Sequence, residues 1–310
     1  MVKFLILLPL FIVILNANSI TRTQVLMGTY ATISLPIKHK KEIQKGFDLI
    51  KKIESSLSSY DKSSKVYKLN LDKKIEADLF LLEILQKSKE IYQKSNGYFD
   101  ITIGSITKKL YNFGQNEQIP SLHDIKKATI DIKGIKITNN FITLKPDITI
   151  DLGGIAKGYA IDKVAKYYKS KNIKNAKVAL SGDIRVFNFA QVFIQSPFEK
   201  KPIIKLQTKL HDISISTSGT YERFVKHSSF NHLINPKTKT QTNNFVSITL
   251  ITQNNNTLID AFATAVGVMQ ELEALKFLLK YPHIGFILIK PNGNIIYANL
   301  NPYISKLTLL

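Results

Sequence analysis

The chain has 310 residues, 44% of them hydrophobic, which is enough for one large domain or two closely packed lobes with a sizeable core. Its 43 Lys and Arg residues against 23 Asp and Glu residues give a net charge of +20, which favours anionic partners. No basic run alternates with aromatic residues, so we expect no nucleic-acid partner. No cysteine is present, which excludes disulfides, thiolate metal sites and cysteine nucleophiles.

The N-terminus is typical of a secretory signal. Lys3 is followed by an apolar run over residues 4–15, which is too short to span a bilayer comfortably, and then by small polar residues. We assign residues 1–18 to this signal segment and 19–310 to a single domain. Cleavage near Ala17 would release that domain, and an uncleaved segment would anchor it to the inner membrane. In both cases we expect an exported, periplasmic protein.

Hydrophobic periodicity predicts the elements that follow. The predicted helices cover residues 40–57, 78–94 with Asp78 as N-cap, the second half of a strand–turn–helix over 148–170, and 258–280. The predicted strands cover residues 23–36, short segments within 135–144, then 177–181, 184–189, 191–195, 203–207, 213–217 and 246–252, and a final hairpin that pairs 284–290 with 295–299. Strands outnumber helices and often follow one another, so we predict an α+β fold rather than a doubly wound sheet.

The segment from Ile148 to Ala160 is the most informative for function. An alternating β-branched run ends at Asp151, turns through Gly153 and Gly154, and enters a helix with Lys157 in its first turn. Glycine allows close backbone approach, and the first turn of a helix offers unpaired N–H groups and partial positive charge. The pattern therefore predicts a site for phosphate or another anion. The alternative is a tight turn in which glycine serves packing alone.

A second segment pairs an acid with a hydroxyl. Asp260 and Thr264 are four residues apart, which places them on one face of a helix, where Ala, Phe and Val residues surround them. A buried aspartate needs a partner, and Mg²⁺ with oxygen ligands and retained waters would suit this pair. The alternative is that Asp260 only caps the helix while Thr264 bonds back to a carbonyl.

The order of motifs along the chain resembles the ApbE family of FAD:protein FMN transferases, over roughly residues 23–290. The matching motifs are Met27-Gly28-Thr29, Ser58-Ser59-Tyr60, Gly97-Tyr98-Phe99-Asp100, Asp151-Leu152-Gly153-Gly154-Ile155-Ala156-Lys157-Gly158-Tyr159-Ala160, Ser181-Gly182-Asp183, Ser216-Thr217-Ser218-Gly219, His232-Leu233-Ile234-Asn235-Pro236 and Asp260-Ala261-Phe262-Ala263-Thr264-Ala265. Two departures stand out: Asn235 replaces the usual aspartate, and Tyr98 is bulkier than the common residue there.

The resemblance implies an ApbE-like, T-fold-related α+β fold with antiparallel or mixed sheets and an active site in a cleft between two lobes. It implies Mg²⁺-dependent transfer of FMN from FAD to a Thr or Ser hydroxyl of a target flavoprotein, with release of AMP. By motif position, the FAD contacts would be Met27, Tyr60, Tyr98, Phe99, Asp100, Asp151, Lys157 and Ile234. The Mg²⁺ ligands would be Asp260, Thr264 and the carbonyl of Gly154. His232 would deprotonate the acceptor hydroxyl.

Two other functions stay open at this point. The same site could use water and hydrolyse FAD to FMN and AMP, which would make the protein an FAD pyrophosphatase. The protein could also bind FAD without reaction.

Overall fold

A computed structural model describes residues 18–310. The predicted signal segment, apart from Asn18, lies outside the described residues, so its prediction stays untested. Across 18–310 we find no helix with the length and apolar character that crossing a membrane requires.

The fold is α+β, as predicted, and its main sheet has eight strands in the order β1-β2-β6-β7-β10-β11-β12-β13, every neighbouring pair antiparallel. These strands are β1 (Ser19–Leu26), β2 (Thr29–Pro36), β6 (Lys177–Leu180), β7 (Asp183–Val186), β10 (Ile213–Gly219), β11 (Ser247–Gln253), β12 (Gly285–Ile289) and β13 (Ile295–Ala298). Two three-stranded sheets contain β3 (Lys74–Glu76), β4 (Ile135–Thr138) and β5 (Phe141–Leu144), and β8 (Gln191–Gln195), β9 (Pro202–Thr208) and β14 (Ile304–Leu309).

Some helices pack against the main sheet, and four of different lengths lie within residues 58–147. The helices are α1 (Lys40–Leu57), α2 (Lys65–Asp72), α3 (Leu79–Lys94), α4 (Gly104–Thr107), α5 (Leu122–Lys127), α6 (Ala156–Ser170), α7 (Asn256–Gly267) and α8 (Glu271–Leu279). Helix α7 packs against β10, β11 and α6, and α1 packs against α6 and β2. The largest buried cluster joins residues of α3, α7 and β12.

The predicted strand over 23–36 is two strands joined by a tight turn. Met27 and Gly28 both have positive φ, at 54° and 70°, and Leu26 pairs with Thr29 across them. A two-residue hairpin with this geometry matches the twist of the flanking strands, which explains the glycine. The amide of Met27 donates to Glu54 Oε1 at 2.7 Å.

The strand predicted over 148–150 is wrong, because this extended segment lies beside side chains rather than another strand. The Ile150 N–H donates to Asn70 Oδ1 at 2.8 Å, and Asn70 Nδ2 donates to the Ile150 carbonyl oxygen at 2.9 Å. The amide of Thr149 donates to Ser105 Oγ at 3.0 Å. One asparagine therefore does for Ile150 what a neighbouring strand would do, and the backbone polar groups stay paired.

The helix predicted over 258–280 is two helices, α7 and α8. Side chains from a distant loop bond the carbonyls where α7 ends: Thr242 Oγ1 donates to Gly267 O at 2.8 Å, and Asn235 Nδ2 donates to Val268 O at 2.9 Å. Gln270 and Glu273 then form a capping box that starts α8.

Candidate active site

The centre of the site is the contact between the start of α6 and the inner face of α7. A Cβ added to Gly154 would lie 2.7 Å from Thr264 Oγ1, and one added to Gly158 would lie 2.4 Å from the carbonyl oxygen of Asn256. Neither glycine has positive φ, so they are required here by close approach and not by backbone conformation. The glycine turn and the acid–hydroxyl helix, about a hundred residues apart in sequence, therefore touch.

Asp260 caps a helix that is not its own. Asn255 is the N-cap of α7, so the interpretation of Asp260 as that cap is wrong. Instead Asp260 Oδ2 accepts the backbone N–H of Gly158 in the first turn of α6 at 2.9 Å. The amide of Ala156 also has a partner, the carbonyl of Leu152 at 2.9 Å. The predicted anion site made of free first-turn amides is thus wrong at these two positions.

Lys157 lies between two buried carboxylates. Its Nζ is 3.0 Å from Asp183 Oδ2 and 3.4 Å from Asp260 Oδ1, and each aspartate is about 1% exposed. Burial opposes the charge of Lys157, but the two carboxylates outweigh it and raise the pKa of the ammonium. Burial and the charge of Asp183 in turn raise the pKa of Asp260. One ammonium here faces two buried carboxyl groups, and Glu222 is near enough to act on it as well.

Asp151 is held ionised on the other side of the glycine turn. Thr107 Oγ1 donates to its Oδ2 at 2.7 Å, the Gly153 amide donates to its Oδ1 at 2.9 Å, and Lys108 Nζ is 3.7 Å from Oδ2. Although burial works against ionisation, Lys108 and these hydrogen bonds lower the pKa of Asp151. Lys108 also lies 3.9 Å from the ring centroid of Tyr60, which links the aromatic side chain to the turn.

His232 is oriented by a backbone carbonyl. Its Nδ1 is 3.1 Å from the carbonyl oxygen of Arg223, which can only accept, so Nδ1 carries the proton and Nε2 is left as a base. Removal from water and the charge of Arg223 lower the pKa of His232 to about 4, while Lys157 and Asp151 are near enough to act on it as well. The Arg223 guanidinium reaches Tyr60 Oη at 3.2 Å. The ring is therefore neutral at physiological pH and close to both parts of the site.

The oxygen donors at the α6–α7 contact fit a magnesium ion. A carboxylate, a hydroxyl and a backbone carbonyl, from Asp260, Thr264 and Gly154, are the hard ligands that Mg²⁺ takes together with water. Within residues 18–310 no three His, Asp or Glu side chains cluster as a metal site, so a cation here would depend on such neutral oxygens.

The other predicted FAD contacts lie outside this cluster. Ile234 is buried in a small core with Ile106 and Phe113. The ring of Phe99 is 4% exposed and belongs to the main core, so it presents no open face for stacking. Asp100 Oδ1 accepts the amide of Thr102 at 2.8 Å, and burial raises its pKa to about 6.

Tyr98 lines a separate polar cavity of about 470 Å³. Lys237 Nζ lies 3.7 Å from the centroid of the Tyr98 ring. Burial, and to a smaller extent the neighbouring Glu273, raise the pKa of the Tyr98 hydroxyl to about 12. Met27 is in the β1–β2 turn described above. The structure thus brings together Tyr60, Asp151, Gly154, Lys157, His232, Asp260 and Thr264 and leaves Met27, Tyr98, Phe99, Asp100 and Ile234 outside the polar network.

Three residues with clear contacts in the site had no predicted role. Asp183 stands in the Ser-Gly-Asp motif and Arg223 in the stretch after Ser-Thr-Ser-Gly, so their motifs were the available clue. Lys108 is one lysine among many in an irregular stretch, and nothing local distinguishes it.

Comparison with known proteins places the chain among enzymes of one family. The ApbE family model matches residues 27–288. The chain belongs to the ApbE family. A Buchnera aphidicola (Schizaphis graminum) protein named FAD:protein FMN transferase is 31% identical over 251 residues, which are 73% of each chain. A Vibrio cholerae protein of the same name is 27% identical and covers 76% of this chain and 75% of its own length.

Solved structures of ApbE proteins share the fold. The ApbE protein of Thermotoga maritima aligns with a TM-score of 0.83 at 23% identity over 92% of this chain and 98% of its own. The flavin transferase ApbE of Vibrio cholerae aligns with a TM-score of 0.79 at 21% identity, covering 92% and 99%. The predicted ApbE-like fold is therefore confirmed.

Proposed function

We propose that this chain is an FAD:protein FMN transferase that moves the FMN part of FAD to a Ser or Thr hydroxyl of a flavoprotein, requires Mg²⁺ and releases AMP. Flavin transfer is the activity named for its relatives. The observation that carries the finer proposal is the contact of Gly154 with Thr264, beside Asp260 and Lys157. This contact places oxygen donors and the Lys157 ammonium close together, and cleavage of a diphosphate requires such neutralisation of its charge.

Most residues of the site then have a task. Lys157 pairs with the negative charge of the diphosphate, and Tyr60 offers a flat face to a ring of FAD. Mg²⁺, held by Asp260, Thr264 and the Gly154 carbonyl, would neutralise charge on the phosphates.

His232 Nε2 accepts the proton of the acceptor hydroxyl as the hydroxyl oxygen bonds to the phosphorus of the FMN half. The bond from that phosphorus to the bridging oxygen breaks, AMP leaves with the electron pair, and the proton passes from His232 to solvent.

The test is a reaction with purified protein, FAD, Mg²⁺ and a candidate flavoprotein acceptor. We expect AMP release together with an acceptor whose intact mass rises by one FMN. Release of free FMN at the same rate without acceptor would assign hydrolysis instead, and FAD that stays intact would assign simple binding. His232→Ala should stop transfer, whereas His227→Ala, an exposed histidine in the same loop, should not.

We also propose that this reaction takes place outside the cytoplasm. The support is the sequence of residues 1–18 alone, with its charged start and short apolar run. The acceptor would then be an exported flavoprotein or a membrane protein with a periplasmic face. Fractionation of cells that express the full chain tests this proposal, and protein found only in the cytoplasm would contradict it.

A further inference from the structure

We propose that Asp183 is a positioning residue that gives the ammonium of Lys157 a second anionic partner, so that Lys157 can leave Asp260 when a divalent cation binds there. The inference rests on the proposed metal site at Asp260. It assigns a role to a side chain that is not itself a proposed metal ligand.

The contacts of Asp183 suit this role. It is the first residue of β7, is 1% exposed, and accepts a hydrogen bond from the buried hydroxyl of Ser216 on the neighbouring β10. Its other oxygen is 3.0 Å from Lys157 Nζ, whereas Asp260 is 3.4 Å from the same atom. A carboxylate fixed in a sheet thus lies nearer to the lysine than the helix carboxylate does, although only the longer contact, to Asp260, has hydrogen-bond geometry.

The position of Lys157 decides how available Asp260 is. Asp260 already accepts the amide of Gly158 with one oxygen, and Lys157 faces the other. A cation that binds Asp260 must repel a neighbouring ammonium, and at this short range the repulsion is strong. With Asp183 present, Lys157 keeps a buried anionic partner when it leaves Asp260. Without Asp183, Asp260 is the only carboxylate left within 4 Å of Lys157 among the described residues.

A double-mutant cycle separates this role from a simple change of charge. Mn²⁺ affinity is measured without FAD at pH 8 for the wild type, Asp183→Asn, Lys157→Met and the double variant. If Asp183 only adds negative charge, Lys157→Met raises the Mn²⁺ affinity by the same factor in the wild type and in the Asp183→Asn variant. If Asp183 positions Lys157, Lys157→Met raises it about tenfold more in the Asp183→Asn background, within the range of measured couplings between contacting residues.

Control variants keep the result interpretable. Lys163→Met removes a lysine of the same helix that pairs with Glu83, and its effect should be equal in both backgrounds. Should Asp183→Asn fail to fold, Ser216→Ala loosens the same carboxylate without changing any charge, and we expect a smaller coupling of the same sign.

The outcomes distinguish the two proposals. Mn²⁺ binding that Asp260→Ala abolishes, with the expected coupling, supports both. The same binding with equal factors in the two backgrounds overturns the role of Asp183 and leaves the metal site intact. A wild type that binds no Mn²⁺, or binds it independently of Asp260, overturns the metal site and this inference with it.

Discussion

Replacing Gly158 with alanine tests the close contact of α6 and α7. Helix propensity alone predicts that the change stabilises α6 by about 1 kcal/mol. The structure predicts the opposite, because the new methyl group would lie 2.4 Å from the Asn256 carbonyl oxygen and 2.8 Å from Asp260 Cβ. Since ordinary contact begins near 3.4 Å, the helices must separate by about 1 Å, and a backbone oxygen cannot rotate away. Overpacking of this kind costs about 1–3 kcal/mol, so after subtraction of the propensity gain we expect a net loss of about 1 kcal/mol.

The same displacement should affect the reaction more than the fold. Asp260 would move relative to Gly154 and Lys157, and a misplacement of about 1 Å can cost a factor of about 100 in rate. Chemical denaturation measures the free energy of unfolding, and AMP release measures the rate. Lys166→Ala, at an exposed position of α6, is the control and should leave both nearly unchanged. A Gly158→Ala variant as stable as the wild type would refute the proposed helix contact.

Four further predictions concern His232 and Asn235. His232→Ala should reduce transfer at least about 100-fold, as expected for loss of a general base, while FAD affinity measured by flavin fluorescence changes little; equal loss of both would make the residue structural. Because the pKa of His232 is lowered from 6.5 to about 4, its ring stays neutral and able to accept a proton down to low pH. The transfer rate plotted against pH should therefore fall near pH 4 on the acidic side. A fall near pH 6.5 would contradict this. The same shift means that the protonated ring is disfavoured in the folded state, so this residue should make the protein less stable as pH falls from 6.5 towards 4. Asn235→Asp should lower the free energy of unfolding by about 1–3 kcal/mol, because a carboxylate cannot donate to the Val268 carbonyl. Asn243→Asp is the control, since the Asn243 side chain only accepts a hydrogen bond. Equal stability of the two variants would argue against a contribution of the Asn235–Val268 hydrogen bond.

Local patterns predicted the elements whose partners are local. Helix α1 begins and ends where the spacing of Ile43, Phe47 and Ile50 indicates, and all three are buried. Asp78 caps α3 as expected, with its Oδ1 accepting the amide of Leu81 at 2.9 Å. The final hairpin forms as predicted, with β12 paired to β13 and Asn292-Gly293 in the turn between them. In each case the residues that decide the structure lie within a few positions of it.

The errors occur where a distant side chain decides the local structure. The segment Ile148–Ile150 alternates like a strand, but the backbone groups of Ile150 bond to Asn70, eighty residues earlier. The end of α7 is fixed by Asn235 and Thr242, which no pattern within residues 258–280 reveals. Periodicity reports burial, and it contains no information about which remote polar group completes the backbone hydrogen bonds.

The candidate site divides in the same way. The pairing of Asp260 with Thr264 follows from helical spacing, and the importance of Gly154 follows from its motif. That Asp260 caps α6 and that Asp183 lies against Lys157 could not be predicted, because both contacts join elements that are distant in sequence and meet only in the folded protein.

A crystal structure of the protein with FAD and Mg²⁺ tests the central claim most directly. We predict that the diphosphate of FAD lies within hydrogen-bond distance of Lys157 Nζ, with a cation bound by Asp260 and Thr264 and His232 Nε2 facing the phosphorus of the FMN half. A diphosphate bound elsewhere, for example in the polar cavity beside Tyr98, with no cation at Asp260, would contradict it.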